Sequence, residues 1–208
     1  MKILALELSS GQGSIALVEI GEALCHCSFP NDRKDSGAFF ENVQLCLRQF
    51  GSPGEIVAGL GPGSYAGVRI AVATAIGLRA SASAKLLGIP SICALDVEDR
   101  DYCVIGDARR QSFYLARVSS GRLIDGPTLM AAEELDMSLT TATMPVYSSE
   151  RLPRFPLVKL AYPSARRLAE LARLQSAEID HTRPLEPIYL REPHITTPKE
   201  PRAFAPTK

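Results

Sequence analysis

The residues best suited to chemistry lie between Gly61 and Arg69. The run Gly61-Pro62-Gly63-Ser64-Tyr65-Ala66-Gly67 follows a short apolar segment, Glu55–Leu60, and leads into a long apolar stretch. A strand that turns on glycines into a helix presents free backbone N–H groups and the positive end of the helix dipole. Such a loop, with Arg69 just beyond it, could hold a phosphate, a nucleotide or a carboxylate from a partner. It lacks the Gly-Lys-Ser/Thr ending of a phosphate loop, and its third glycine comes one residue late for the dinucleotide pattern. Ser64 has no glycine two residues before or after it, so it is not a nucleophile elbow. The plainer alternative is a tight structural turn, for which glycine is the default residue.

Two acids are candidates for a cleft. Glu7 ends the first apolar run and Asp107 stands at the matching place in the second half of the chain. Carboxylates at two such strand ends could hold a metal–phosphate between them. Against this, no base or lysine lies near Glu7, and Arg109 and Arg110 follow Asp107 closely enough simply to pair with it. The histidines His26, His181 and His194 are scattered with no HxxxH spacing, so a metal-assisted hydrolase site is not indicated. The five cysteines include no CxxC pair. Cys25 and Cys27 flank His26 on a strand, which puts them on the opposite face from it. Cys46, Cys93 and Cys103 sit in apolar runs as small core residues, the usage of a reducing compartment.

These residues are carried by alternating elements. Ile3–Leu8, Ser14–Ile20 and Ala23–Phe29 form a three-stranded meander, with Ser9–Gly13 as the first turn and Gly21-Glu22 as the hairpin. A helix follows near Ser36–Phe50, then the strand Glu55–Leu60, the glycine loop, a helix from about Gly67 to Leu87, and a strand at Ser91–Ala94. The second half repeats the theme: strands Tyr102–Asp107 and Ser112–Val118 joined by Ala108–Gln111, a Gly121-led strand, a short helix near Ala131–Met137, a strand at Pro145–Ser148 and a helix over Pro163–Gln175. A meander followed by crossover helices predicts mixed α/β sheets, and the two similar halves suggest a duplication.

The helix after the glycine loop is apolar almost all round. Val68, Ala71, Val72, Ala75 and Leu78 cover one face; Ile70, Thr74, Gly77 and Ser81 form a second that is small and nearly uncharged. A helix lying on a sheet normally shows a polar face to water. Either a second protein chain covers this helix and the one near Ser36–Phe50, or the second half of the same chain does. The bulk composition constrains less. Lys+Arg and Asp+Glu number 23 each, so the net charge is zero and a nucleic-acid backbone grip by this chain alone is not favoured. No segment has the form of a signal or a membrane span, since Glu7 ends the first apolar run and Arg69 and Arg79 interrupt the longest one; a cytoplasmic location is the expectation.

Four stretches, in order along nearly the whole chain, resemble the TsaB (YeaZ) family: Ile3–Leu17 (ILALELSSGQGSIAL), Gly59–Leu78 (GLGPGSYAGVRIAVATAIGL), Asp107–Tyr114 (DARRQSFY) and Pro187–Glu192 (PIYLRE). Gly59–Leu78 is the specific one. The resemblance implies an actin-like, HSP70-like (ASKHA) fold of two ribonuclease-H-like units, 1–98 and a truncated 99–208 with a proline-rich tail. It implies a non-catalytic scaffold that binds TsaD, the subunit transferring threonylcarbamoyl to the adenosine beside the tRNA anticodon, together with the ATPase TsaE. The expected contact surface is Phe40, Val43, Leu45, Leu47, Ile70, Ala71, Thr74, Gly77, Leu78 and Ser81, shared with TsaD or, in the free protein, with a second copy. No cofactor or metal is implied, ATP or ADP being expected only at the partner interface, and tRNA contact would be indirect or weak. The family usually has aspartate where Glu7 stands, and an aspartate–serine–glycine run, Asp35-Ser36-Gly37, replaces its histidine–serine–glutamate pattern. The competing readings are a free-standing ATPase or small-molecule kinase using Glu7, Asp107 and the loop, and a metallopeptidase.

Overall fold

A computed structural model describes residues 1–31, 36–175 and 183–191. Strands β1 (Lys2–Glu7), β2 (Gln12–Glu19) and β3 (Glu22–Pro30) form the antiparallel meander. Helix α1 (Gly37–Phe50) then crosses to β4 (Glu55–Gly59), parallel to β1, and α2 (Tyr65–Ala82) crosses to β5 (Lys85–Ile89), parallel to β4. The strand order is β3-β2-β1-β4-β5. The second half builds β6 (Asp101–Asp107), β7 (Ser112–Ser119) and β8 (Arg122–Ala131), then α3 (Ala132–Thr140), β9 (Val146–Ser148), β10 (Lys159–Leu160) and α4 (Ala165–Gln175). Its order, β10-β9-β6-β7-β8, is the first sheet's order over again, with β9 parallel to β6 and β10 parallel to β9. The repeat is incomplete: a stretch without a helix joins β9 to β10 where α2 joins β4 to β5.

The strand β1 lies at the centre of its sheet and is buried on both faces, which is why it is continuously apolar rather than alternating. Leu4 and Leu6, with Ile15, Leu17 and Ile56, meet the inner faces of α1 and α2 through Phe39, Val43, Val68 and Ala71. Ile3 and Ala5 point the other way into a core shared with the second half, formed by Val104, Tyr114, Ala116 and Val118 of its sheet and by Leu168, Ala169 and Ala172 of α4. The helix α4 thus belongs to the second half in sequence but packs on the first half's sheet. The Ser14 hydroxyl of β2 even accepts the backbone N–H of Ala165 at its start, at 2.9 Å. A separate cluster around Ile105, Leu135 and Phe155 lies under α3.

Three local expectations are corrected. The first hairpin turns on Ile20-Gly21, with φ of 53° and 86°, rather than on Gly21-Glu22; Ser120-Gly121 does the same in the second sheet, at 48° and 73°. Both have the positive-φ pair of a tight primed turn. Helix α2 stops at Ala82, on Ser83 in the left-handed region, so residues 85–87 belong to a buried strand and not to the helix. Ser91–Ala94 is a single 3-10 turn, not a strand.

Candidate functional site

The glycine loop is held against the end of β1. Gly63 and Gly67 lie so close to the Ser9 and Leu8 carbonyls that a Cβ would stand 2.1 Å and 2.0 Å from those oxygens. Ser64 donates its N–H to the Ser9 carbonyl at 2.6 Å, and its hydroxyl caps α2 by accepting from the Gly67 N–H at 3.2 Å. Gly61 donates its N–H to the Ser91 hydroxyl at 2.9 Å and accepts the Ser91 N–H at 2.8 Å. Pro62 is buried behind them. The amides of residues 61, 64 and 67 are therefore spent inside the chain. The geometry accounts for these glycines by close approach of backbone to backbone, the tight-turn alternative. Arg69 lies exposed and turned away, its guanidinium donating to the Tyr65 hydroxyl at 2.9 Å and lying 5.0 Å from that ring.

A cleft of about 740 Å³ opens beside the loop, between the two halves. Ser9 to Gly11 and Gly63 to Ala66 form one wall; Asp107 to Arg109 and Glu150 form the other; residues 187–191 run along it. Only one of the two expected acids reaches it. Asp107 lines the cleft, accepting the Arg109 N–H at 2.6 Å, with the Arg109 guanidinium 3.4 Å from its other oxygen. Glu7 does not. It is fully buried on the inter-sheet face of β1, against Gly59 and Ser91, with Oε1 accepting the Ser9 N–H at 2.6 Å. Burial raises its pKa above the usual carboxylate value, the hydrogen bonds from Ser9 and Ser91 opposing that only in part. Among the described residues no cation is placed beside it, and its side chain does not line the cleft, so the structure does not bring Glu7 and Asp107 together across it. The second acid of the cleft is Glu150, which accepts the Asp107 N–H at 2.8 Å. It follows β9 as Leu60 follows β4, a correspondence that only the repeated strand order reveals.

The two helices of the first half show a mixed surface. Val43 and Ala71, expected at a partner contact, face inward and are 5 % and 0 % exposed, because each sits on the stripe that covers the sheet. Phe40, Leu45, Gly77 and Ser81 are exposed, and Leu47, Ile70, Thr74 and Leu78 are half-buried at the edges of the same outward faces. Ile76, missed in the sequence, is the most prominent apolar residue on outward α2, at 50 % exposure. It stands one residue before Gly77 and one helical turn before Ala80, on a side of the helix that neither of the two faces read from the sequence included. Beyond Gly77 there is open space.

Among the described residues no group of three histidine, cysteine or acidic side chains is placed to hold a metal. His26 is exposed on β3, while His181 and His194 lie outside the described residues. All five cysteines are free thiols, Cys25 and Cys27 lying side by side with sulfurs 3.9 Å apart. No described helix is long and apolar enough to cross a membrane.

Comparison with known proteins agrees with this architecture. Residues 49–147 match the family model of TsaD, tRNA N6-adenosine threonylcarbamoyltransferase. An uncharacterized protein of Mycobacterium leprae is 34 % identical over 157 residues, 70 % of this chain and 41 % of that protein. One of Mycobacterium tuberculosis is 34 % identical over 144 residues, 66 % of this chain and 64 % of that protein. The chain thus spans less than two thirds of the length of these relatives. Among solved structures, a Pseudomonas aeruginosa protein described as similar to peptidase YEAZ superposes with a TM-score of 0.73 at 24 % identity, covering 91 % of this chain and 99 % of that one. YeaZ of the same organism gives 0.70 at 23 % with the same coverage. Over nine-tenths of its length this chain therefore has the fold of YeaZ from Pseudomonas aeruginosa, here built as two mixed sheets of matching strand order.

Proposed function

We propose that the chain is a non-catalytic TsaB-type subunit that docks a TsaD-like threonylcarbamoyltransferase and so supports threonylcarbamoyladenosine formation in tRNA. The observation that carries this reading is the outward face of α1 and α2. Phe40, Leu45 and Ile76 are 48 %, 60 % and 50 % exposed on the two helices, beside Gly77, whose lack of a side chain serves no contact among the described residues. An exposed glycine in a helix interior costs stability relative to alanine, so a backbone approached closely by another chain is a physical reason to have one there. The match of residues 49–147, which include α2, to the TsaD family model supports a partner of related fold, with which this chain would pair through equivalent helices. A second copy of this chain offers the same surface and would form the homodimer of the free protein, and a TsaE-like ATPase would join at the shared interface with any ATP or ADP. The setting is the cytoplasm.

The cleft of about 740 Å³ favours a second reading, a nucleotide-binding enzyme of the kinase type. The burial of Glu7 and the internal use of the loop amides weigh against it. Affinity capture with the TsaD-like protein of the same organism, alongside calorimetry with magnesium-ATP on the isolated chain, separates the two. A stable complex with no ATP turnover by the isolated chain is expected. Absence of a complex, with turnover by this chain alone, would remove the scaffold reading.

A further inference from the structure

The segment 183–191 has neither helix nor strand, yet it touches both halves of the molecule at every second residue or so. Leu185 packs on the core under α1 and α2. Ile188 donates its N–H to the Leu60 carbonyl at 2.8 Å. The Tyr189 ring lies 5.3 Å from that of Tyr65, in the first turn of α2. Leu190 packs on the core between the sheets. Finally the Arg191 guanidinium donates to the Ala108 carbonyl at 3.1 Å and the Arg109 carbonyl at 3.4 Å, in the second half. Residues 187–191 form one side of the cleft.

What Arg191 holds is itself unusual. Arg109, Arg110 and Gln111 have φ of 67°, 55° and 60°, three consecutive non-glycine residues in the left-handed region. Each is disfavoured by the clash between Cβ and the following carbonyl, and a run of them persists only where the surroundings impose it. In the first half the turn after β1 is held from within, Asn31 donating to the Leu8 and Ser10 carbonyls at 2.9 and 2.8 Å. At the equivalent turn after β6 the clamp comes from the distant segment, through Arg191.

We propose that residues 185–191 are a latch. Docked, the latch ties the two halves across the cleft and holds the Arg109–Gln111 turn in its left-handed form. Released, it lets the turn relax and opens that side of the cleft. A segment without ladder hydrogen bonds belongs to the low-stability end of a fold, and a strained turn supplies the two-state element that a switch needs. Because Tyr189 sits on Tyr65, the first turn of α2 and the turn at 109–111 become linked sites, and linkage runs equally in both directions.

Hydrogen exchange on the full chain tests this, comparing the wild type with Tyr189→Ala, Arg191→Ala and Arg191→Lys. The Tyr189 ring packs on Tyr65 in the other half, and the bonds to the 109–111 turn come from Arg191, so Tyr189→Ala reports coupling rather than loss of those bonds. The expected result is exchange at least ten-fold faster at the Ile188 amide and at the Ala108 and Ser112 amides that close the turn. The Leu60 and Ala165 amides, which report the two sheets' packing, should keep their protection. Arg191→Ala should do the same, including at Ile188, and Arg191→Lys should fall between. The latch is overturned if Tyr189→Ala speeds Ile188 while Ala108 and Ser112 stay protected, if nothing changes, or if all amides quicken together.

Discussion

Gly67, at the start of α2, lies against the carbonyl of Leu8, at the end of β1, so closely that a methyl group would stand 2.0 Å from its oxygen. Both partners are backbone, so neither can swing aside. Gly67→Ala must therefore push α2 off the sheet, and overpacking of this kind costs about 1–3 kcal/mol or more. The expected outcome is a lower urea midpoint for Gly67→Ala than for the wild type, with an unchanged slope. A midpoint at the wild-type value would show that the helix start is not seated on β1.

Gly77 is the opposite case, with open space where its side chain would be. Gly77→Ala should raise stability by up to about 1 kcal/mol through helix propensity alone. The same space is the proposed contact, so Gly77→Arg or Ile76→Arg should leave the fold intact and abolish capture of the TsaD-like protein. Ala71→Arg distinguishes the two faces of the helix. Its side chain would enter the core beneath α2 as an unpaired charge, costing about 3–5 kcal/mol, so it should appear as a folding defect before any binding defect. Circular dichroism melts run beside the capture assay separate these outcomes. Capture by Gly77→Arg at the wild-type level would place the interface elsewhere.

The meander and the crossover helices were legible because their signals are periodic and local. Ile3–Leu8 reads as an apolar strand, and α4 shows its stripe of Leu168, Leu171 and Ala172. The failures share one cause: the deciding group lies far away in sequence. Leu86 and Leu87 continue the apolar pattern of α2, but the slot beside β4 takes them as a strand. Ile20 is a poor candidate for φ of 53°, and the register of β2 against β3 imposes it. Glu7 looked like a cleft acid because it ends a strand, yet alternation points it with Ile3 and Ala5 to the face that Ser91 and Gly59 cover. The strand at Pro145–Ser148 was legible, but that Glu150 beyond it lines the cleft follows only from the pairing of β9 beside β6. Val43 and Ala71 are expected at the contact surface but lie on the stripes that the sheet covers, and α2 is apolar almost all round, so its composition does not say which side the sheet takes.

The shared core makes a prediction about cooperativity. Ser14 on the first sheet caps the start of α4, and Leu168, Ala169 and Ala172 of that helix pack with residues of β1 and β2. Ser14→Ala leaves the buried Ala165 N–H without its acceptor, which costs about 1–3 kcal/mol. Unfolding followed at once by far-ultraviolet dichroism and by tyrosine fluorescence should show one shared transition, displaced to lower urea by Ser14→Ala. Two transitions, with only the later part of the chain displaced, would mean that α4 does not bind the halves together.

Glu7 gives the sharpest test of the interior, because the sign of its effect is opposite to that of an ion-paired acid. Burial raises its folded pKa above the ordinary carboxylate value of 4.5. The unfolded chain therefore loses this proton at lower pH than the folded chain does. Stability from this group is complete below the unfolded value and is lost as pH rises through the folded one, at a limiting rate of about 1.4 kcal/mol per pH unit. Glu7→Gln keeps an acceptor for the Ser9 N–H and a donor where the acid proton sat, but cannot ionise. The difference in unfolding free energy between Glu7→Gln and the wild type, measured by urea titration from about pH 4 to pH 9, cancels the contributions of all other groups. That difference should be smallest at the acid end and should grow in favour of the glutamine variant as the pH rises. Growth in the opposite direction would mean that Glu7 is held as a carboxylate by a cation, which would return it to the list of possible ligands in the cleft.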